Sequence, residues 1–114
     1  MGMAASSRDL EKAGFVQHVV ALRFGTSLQD IQAATRRTAS AAFARQVAMY
    51  LTHVAYELSL SRVADAFGRD RTTISHACHL IEDMRDDYGF DHQLEILEGF
   101  LRGAPIFSET SQVQ

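Results

Sequence analysis

The sequence predicts an all-α bundle of about six helices, with a helix-turn-helix at residues 59–87. Three observations predict it. No segment alternates apolar and polar residues with the period of a strand. Apolar residues recur at helical spacing instead, and Ser, Thr, Asp and Gly stand where helices start and stop.

Ser6 and Ser7 cap a first helix, residues 8–24, which Gly25 stops. Its apolar residues (Leu10, Phe15, Val16, Val19, Val20, Leu22, Phe24) cover more than one face. Ser27 and Asp30 form a capping-box pattern for a short second helix, 28–34. Thr35, Arg36, Arg37 and Thr38 make a polar, basic connection. Ser40 is the expected cap of a long third helix, to about residue 57, in which Val47, Leu51, Val54, Ala55 and Leu58 trace one buried stripe. Ser59 caps a short helix, 60–67, with Leu60, Val63, Ala64 and Phe67 inward, and Gly68 breaks it. Asp70 caps the next, about 71–86, with Ile74, Ala77, Cys78, Ile81 and Met84 on one stripe. Gly89 ends that stretch. Asp91 is the expected cap of a last helix, 92–102, closed by Gly103 and Pro105. One domain, 1–106, followed by a flexible tail, 107–114, accounts for the chain.

The 114 residues suit a single core, and 46% hydrophobic content is enough to fill it. No apolar run approaches the roughly 20 residues of a membrane span, and the start lacks a signal-peptide pattern. The lone cysteine, Cys78, excludes an intramolecular disulfide framework, so a reducing, cytoplasmic setting is expected. The net charge of −3 hides an asymmetry: residues 1–80 hold nine Lys/Arg against six Asp/Glu, and residues 81–114 hold two against eight. Lys12 is the only lysine. Arginine suits bidentate contacts to phosphate and guanine, although a GC-rich genome would produce the same bias.

The two helices flanking Gly68 have helix-turn-helix proportions. At about 100° per residue, Thr72, Ser75, His76 and His79 fall opposite Ile74, Cys78 and Ile81. Short hydrogen-bonding side chains there suit a groove-facing surface, and the positive helix N-terminus favours phosphate. Glu82, Asp83, Asp86 and Asp87 would repel phosphate, which leaves the first two turns to enter a groove. Plain helical bundles show the same geometry.

The stretches Arg45-Gln46-Val47-Ala48-Met49-Tyr50-Leu51, Ser59-Leu60 and Ala66-Phe67-Gly68-Arg69-Asp70-Arg71-Thr72-Thr73-Ile74-Ser75-His76-Ala77-Cys78 resemble the C-terminal DNA-binding domain of the bacterial replication initiator DnaA. The resemblance spans about residues 24–84 and implies a fold of the Trp-repressor and DnaA C-terminal kind. It implies double-stranded DNA as partner, in control of replication initiation or transcription. By position it implies Arg45 in the minor groove, a placement favoured by the focused negative potential there. The apolar stripe of its helix also predicts Arg45 to be exposed. Asp70, Arg71 and Thr72 are implied as base readers in the major groove, with Thr73 beside a thymine methyl or phosphate. Ser59, Leu60 and Ser61 match a turn that touches backbone and bases, His76 a phosphate contact, and Arg36 and Arg37 a connector along the backbone. Arg71 stands where the family has histidine, which implies a preference shifted toward guanine. The family's second glycine after Gly68 is missing, its proline is Ser61, and a late basic residue is Leu80.

No G-x-x-x-x-G-K-[ST] loop is present, so no nucleotide-hydrolysing module and no enzyme are expected. His76 and His79 share a face, but Cys78 points to the core and a third ligand is lacking, so neither metal nor cofactor is expected. The paired acids Asp86 and Asp87, and Glu95 and Glu98, read as a solvated face. A second function remains open: an adaptor acting through protein contacts with the initiator machinery, since the first helix and Leu94, Ile96, Leu97, Phe100 and Leu101 carry more apolar surface than one core face needs.

Overall fold

A computed structural model describes residues 5–33 and 38–104. These form six helices and no strand: α1 (Ser7–Phe24), α2 (Leu28–Gln32), α3 (Ala39–Ala55), α4 (Leu60–Phe67), α5 (Arg71–Met84) and α6 (Tyr88–Gly103). The expected all-α architecture is thus observed. The segment 34–37, with Arg36 and Arg37, and the residues from 105 on lie outside the described residues.

Local chemistry explains the ends. Ser6, Ser27 and Ser59 each accept a hydrogen bond from the backbone N–H three residues on, at 3.0, 3.0 and 3.2 Å, satisfying one of the donors a helix start leaves unpaired. Gly25 and Gly68 end α1 and α4 in the left-handed region, at φ 67° and 65°, where a Cβ would be strained.

Two starts differ from expectation. Thr38, not Ser40, caps α3, its hydroxyl accepting from the Ala41 N–H at 3.0 Å. Asp87, not Asp91, caps α6, accepting from the Phe90 N–H at 2.9 Å. Both Asp87 and Asp91 have the chemistry of a cap, but Asp91 is engaged by Arg85, whose Nε lies 2.5 Å from its carboxylate. Gly89 therefore falls inside the first turn of α6 rather than between helices. Three ends come earlier than expected: α2 at Gln32, α3 at Ala55 and α5 at Met84.

Helix α3 is the axle. Ala41, Ala44, Val47, Ala48, Met49, Tyr50, Leu51, Thr52 and Ala55 are all buried, far more than one stripe. Its alanines let neighbouring helices approach on several sides. One core cluster joins α3 to α1 and α6 through Val16, Val20, Val47, Leu51, Leu94 and Leu101, with Ile81 of α5. A second joins α3 to the helix-turn-helix through Met49, Leu58, Val63, Ala64, Ile74 and Ala77. Met84, expected on the buried stripe of α5, is 37% exposed because that helix leaves the core in its last turn.

Candidate nucleic-acid interface

The second cluster fixes how α5 is rotated. Ile74 and Ile81 are fully buried and Ala77 is 2% exposed, so the opposite side of the helix faces solvent. Arg71, Thr72, Thr73 and His76 are exposed there, with His79 further along and Ser75 half-buried. Asp70 occupies the cap position of α5 and is exposed, yet its side chain makes no capping hydrogen bond. Its carboxylate is therefore not committed to the backbone, unlike the other caps.

The three residues expected to make contacts at the start of α4 differ in exposure. Ser59 and Ser61 are exposed, but the Ser59 hydroxyl already accepts the Arg62 N–H. Leu60 is half-buried against the second core cluster. Arg62 braces α4 on α1: its Nε and Nη2 donate to the two oxygens of Asp9 at 2.9 and 2.8 Å. That hydrogen bonding, with the nearby positive charge, holds the Asp9 carboxyl below its ordinary value despite its burial.

The far end of α5 is clamped. Arg85 donates to Asp91 and Glu98 at 2.5 Å each and to the Tyr50 hydroxyl at 2.9 Å. Tyr50 in turn donates to Glu82 at 2.9 Å. Burial opposes the charge on Arg85, but these bonds outweigh it and raise its pKa. Burial pushes Tyr50 up to about 12, the bond from Arg85 opposing it. The network ties α5 to α3 and α6 and so fixes the direction in which its free N-terminal turns project.

Arg45 does not stand where expected. It is 8% exposed, not solvent-facing. Its Nε donates to the Ile31 carbonyl at 2.7 Å and its Nη2 to the Asp30 carbonyl at 3.0 Å. The last carbonyls of a helix lack intrahelical partners, and α2 lies across the face of α3 that carries Arg45. Arg69, to which sequence reasoning assigned no role, donates to the Ala33 carbonyl at 2.7 Å. Two arginines thus hold the end of one five-residue helix. Burial, then the charge of Arg69, lowers the Arg45 pKa.

Cys78 is half-buried, and burial, with the charge of Glu82, pushes its thiol up to about 11. It packs as a small apolar group rather than a reactive one. Among the described residues no helix is long and apolar enough to cross a membrane.

A short helix, a glycine turn and a second helix with sealed inner and open outer faces, all resting on a long central helix, define a helix-turn-helix fold. Residues 14–81 match the bacterial DnaA protein helix-turn-helix family. The chain belongs to that family. It is 37% identical over 89 residues to the chromosomal replication initiator protein DnaA of Symbiobacterium thermophilum, covering 76% of this chain and 19% of that protein. A solved structure described as a DNA replication initiation factor superposes with a TM-score of 0.74 at 29% identity, over 83% of this chain and 29% of the other. The chain therefore spans less than a third of either relative.

Proposed function

We propose that this chain binds double-stranded DNA in a sequence-specific manner, with the first turns of α5 in the major groove, and that it acts in control of replication initiation or transcription. The observation that carries this reading is the open face at the start of α5. Asp70, Arg71, Thr72, Thr73 and His76 face solvent together, over the buried anchors Ile74 and Ala77. The chemistry fits base edges: Arg71 offers a guanidinium to guanine O6 and N7, Asp70 an acceptor to the cytosine amino group, and Thr72 and Thr73 hydroxyls and methyls. Ser59, Ser61 and His76, all exposed, serve as contacts to the DNA backbone, and Arg36 and Arg37, outside the described residues, take that role only as the family resemblance implies. For Arg45 to enter a minor groove it must first release the Asp30 and Ile31 carbonyls.

Selection of duplexes from a random pool tests the reading. The wild type enriches a defined site. Arg71→Ala weakens binding to that site by about 1–3 kcal/mol and loses preference at one base pair. A pool that shows no enrichment, or an Arg71→Ala protein with unchanged preference, overturns it.

One observation favours a second reading, that of a protein-binding adaptor. Leu94, Leu97 and Leu101 of α6 are buried in the core, but Ile96 and Phe100 are 59% and 57% exposed, and Leu22 of α1 is 86% exposed. The Phe100 ring stacks on Phe15 at 6.1 Å, so α1 and α6 share an apolar patch. If Ile96→Asp with Phe100→Asp abolishes cellular function while duplex binding persists, protein contacts dominate.

A further inference from the structure

Between α1, α2, α3 and the end of α4 lies a cavity of about 220 Å³, lined by Gln17, Ile31, Gln32, Arg45, Ala66, Phe67 and Arg69. It is small next to the roughly 300–1,000 Å³ of sites that enclose drug-sized ligands, so it suits a compact group. Its polar lining comprises two guanidiniums and two amides, with no carboxylate side chain.

Three features point to an oxyanion. First, the donors are in surplus. A guanidinium has five N–H donors. Arg45 gives one through Nε and one through Nη2 to α2, and Arg69 gives one through Nη2. Among the described residues neither arginine has a carboxylate within ion-pair distance. Second, the two like charges repel: Arg69 is the charge that lowers the Arg45 pKa, alongside burial. A bound anion would relieve that repulsion and supply the countercharge a mostly buried cation lacks. Third, Gln17 is 7% exposed and lines the cavity. Among the described residues no sealed side-chain nitrogen or oxygen lacks a partner, so its amide is open to the cavity and able to bond a ligand there.

We propose that this pocket binds a phosphate oxyanion, held by Arg45 and Arg69 and hydrogen-bonded by the Gln17 amide. Phosphate is the compact, multiply charged acceptor that paired arginines match. It could come free from solution or as a backbone phosphate of DNA, because Arg69 directly precedes Asp70 at the start of α5. The site is independent of base reading by Arg71.

The test has two arms. In the first, thermal unfolding is followed with inorganic phosphate titrated against chloride at constant ionic strength, with no DNA. A free-phosphate site raises the wild-type midpoint progressively, because a ligand that binds only the folded state stabilises it by mass action. The rise is lost in Arg69→Gln and reduced in Gln17→Met, which leaves both guanidiniums and their bonds to α2 in place. In the second arm, duplex affinity is measured across salt concentrations. If the ligand is a backbone phosphate, the slope of log K against log salt becomes shallower by about 0.9 in Arg69→Gln, and Gln17→Met weakens binding several-fold. A response in either arm supports the site and identifies the source. No phosphate response and no change in salt slope overturn it. Failure of the wild type to bind duplex refutes the DNA reading and leaves the first arm to decide the pocket.

Discussion

Replacing Arg85 with Met should loosen the clamp that aims the recognition helix. The substitution keeps most of the apolar stem and removes the guanidinium. Three bonds go at once: to Asp91, Glu98 and the Tyr50 hydroxyl. Arg85 is 15% exposed, Glu98 13% and Asp91 32%, so the pairs lie between two known limits. Breaking a fully buried ion pair costs about 3–5 kcal/mol, and an exposed pair contributes about 0–1 kcal/mol. Glu98 keeps a longer contact to Arg102 at 3.4 Å, and Asp91 has access to water. A loss of about 2–3 kcal/mol follows, which for a chain of this size lowers the unfolding midpoint by about 10 °C. Urea denaturation of wild type and variant, with the slopes compared, measures it. A loss under about 1 kcal/mol would refute the reasoning and mark the network as a surface feature. A coupled effect is expected on DNA: the variant, studied well below its midpoint, binds duplex more weakly although Arg85 is remote from Asp70 and Arg71 in the sequence.

Other consequences are equally open to measurement. Gly68→Ala should destabilise by about 1–2 kcal/mol: its φ is 65° and a Cβ there would meet nothing within 4 Å, so strain alone sets the loss, read by thermal unfolding. Alkaline titration followed by tyrosinate absorbance should show two of the three tyrosines ionising near 12, since burial raises both Tyr50 and Tyr56 to about 12. Because their folded values lie above the ordinary 10.0, the stability they contribute is present below pH 10 and lost as pH rises toward 12. Asp9 has the opposite sign. Its pairing with Arg62 holds the folded value below 3.8, so that stability is present above this pH and lost as pH falls through the depressed value. Acid unfolding of Arg62→Met should accordingly show a weaker dependence on pH below about 4 than the wild type.

Much of this was legible because the signals were local. A serine accepting from the N–H three residues on, or a glycine at positive φ, is decided by a handful of atoms, and the bounds of α4 follow from Ser59 and Gly68 alone. Where several residues could serve, tertiary contacts chose. Asp87 caps α6 because Arg85 binds Asp91, a pairing that no periodicity reveals. The open face of α5 was readable from Ile74, Ala77 and Ile81, which have one way to be buried together. Arg45 was not readable. Its position relative to Val47 says outward, but α3 is buried nearly all round, and the carbonyls that hold Arg45 come from 14 and 15 residues upstream. Arg69 was hidden for the same reason: the carbonyl it holds, that of Ala33, lies 36 residues upstream.

The central claim is that the start of the second helix of the helix-turn-helix meets DNA. Backbone amide shifts recorded by NMR as a selected duplex is titrated into the labelled chain test it most directly. The account predicts perturbations concentrated at Ser59–Ser61 and Asp70–His76. Shifts confined to Leu22, Ile96 and Phe100, or no shifts with a duplex of any sequence, would contradict it.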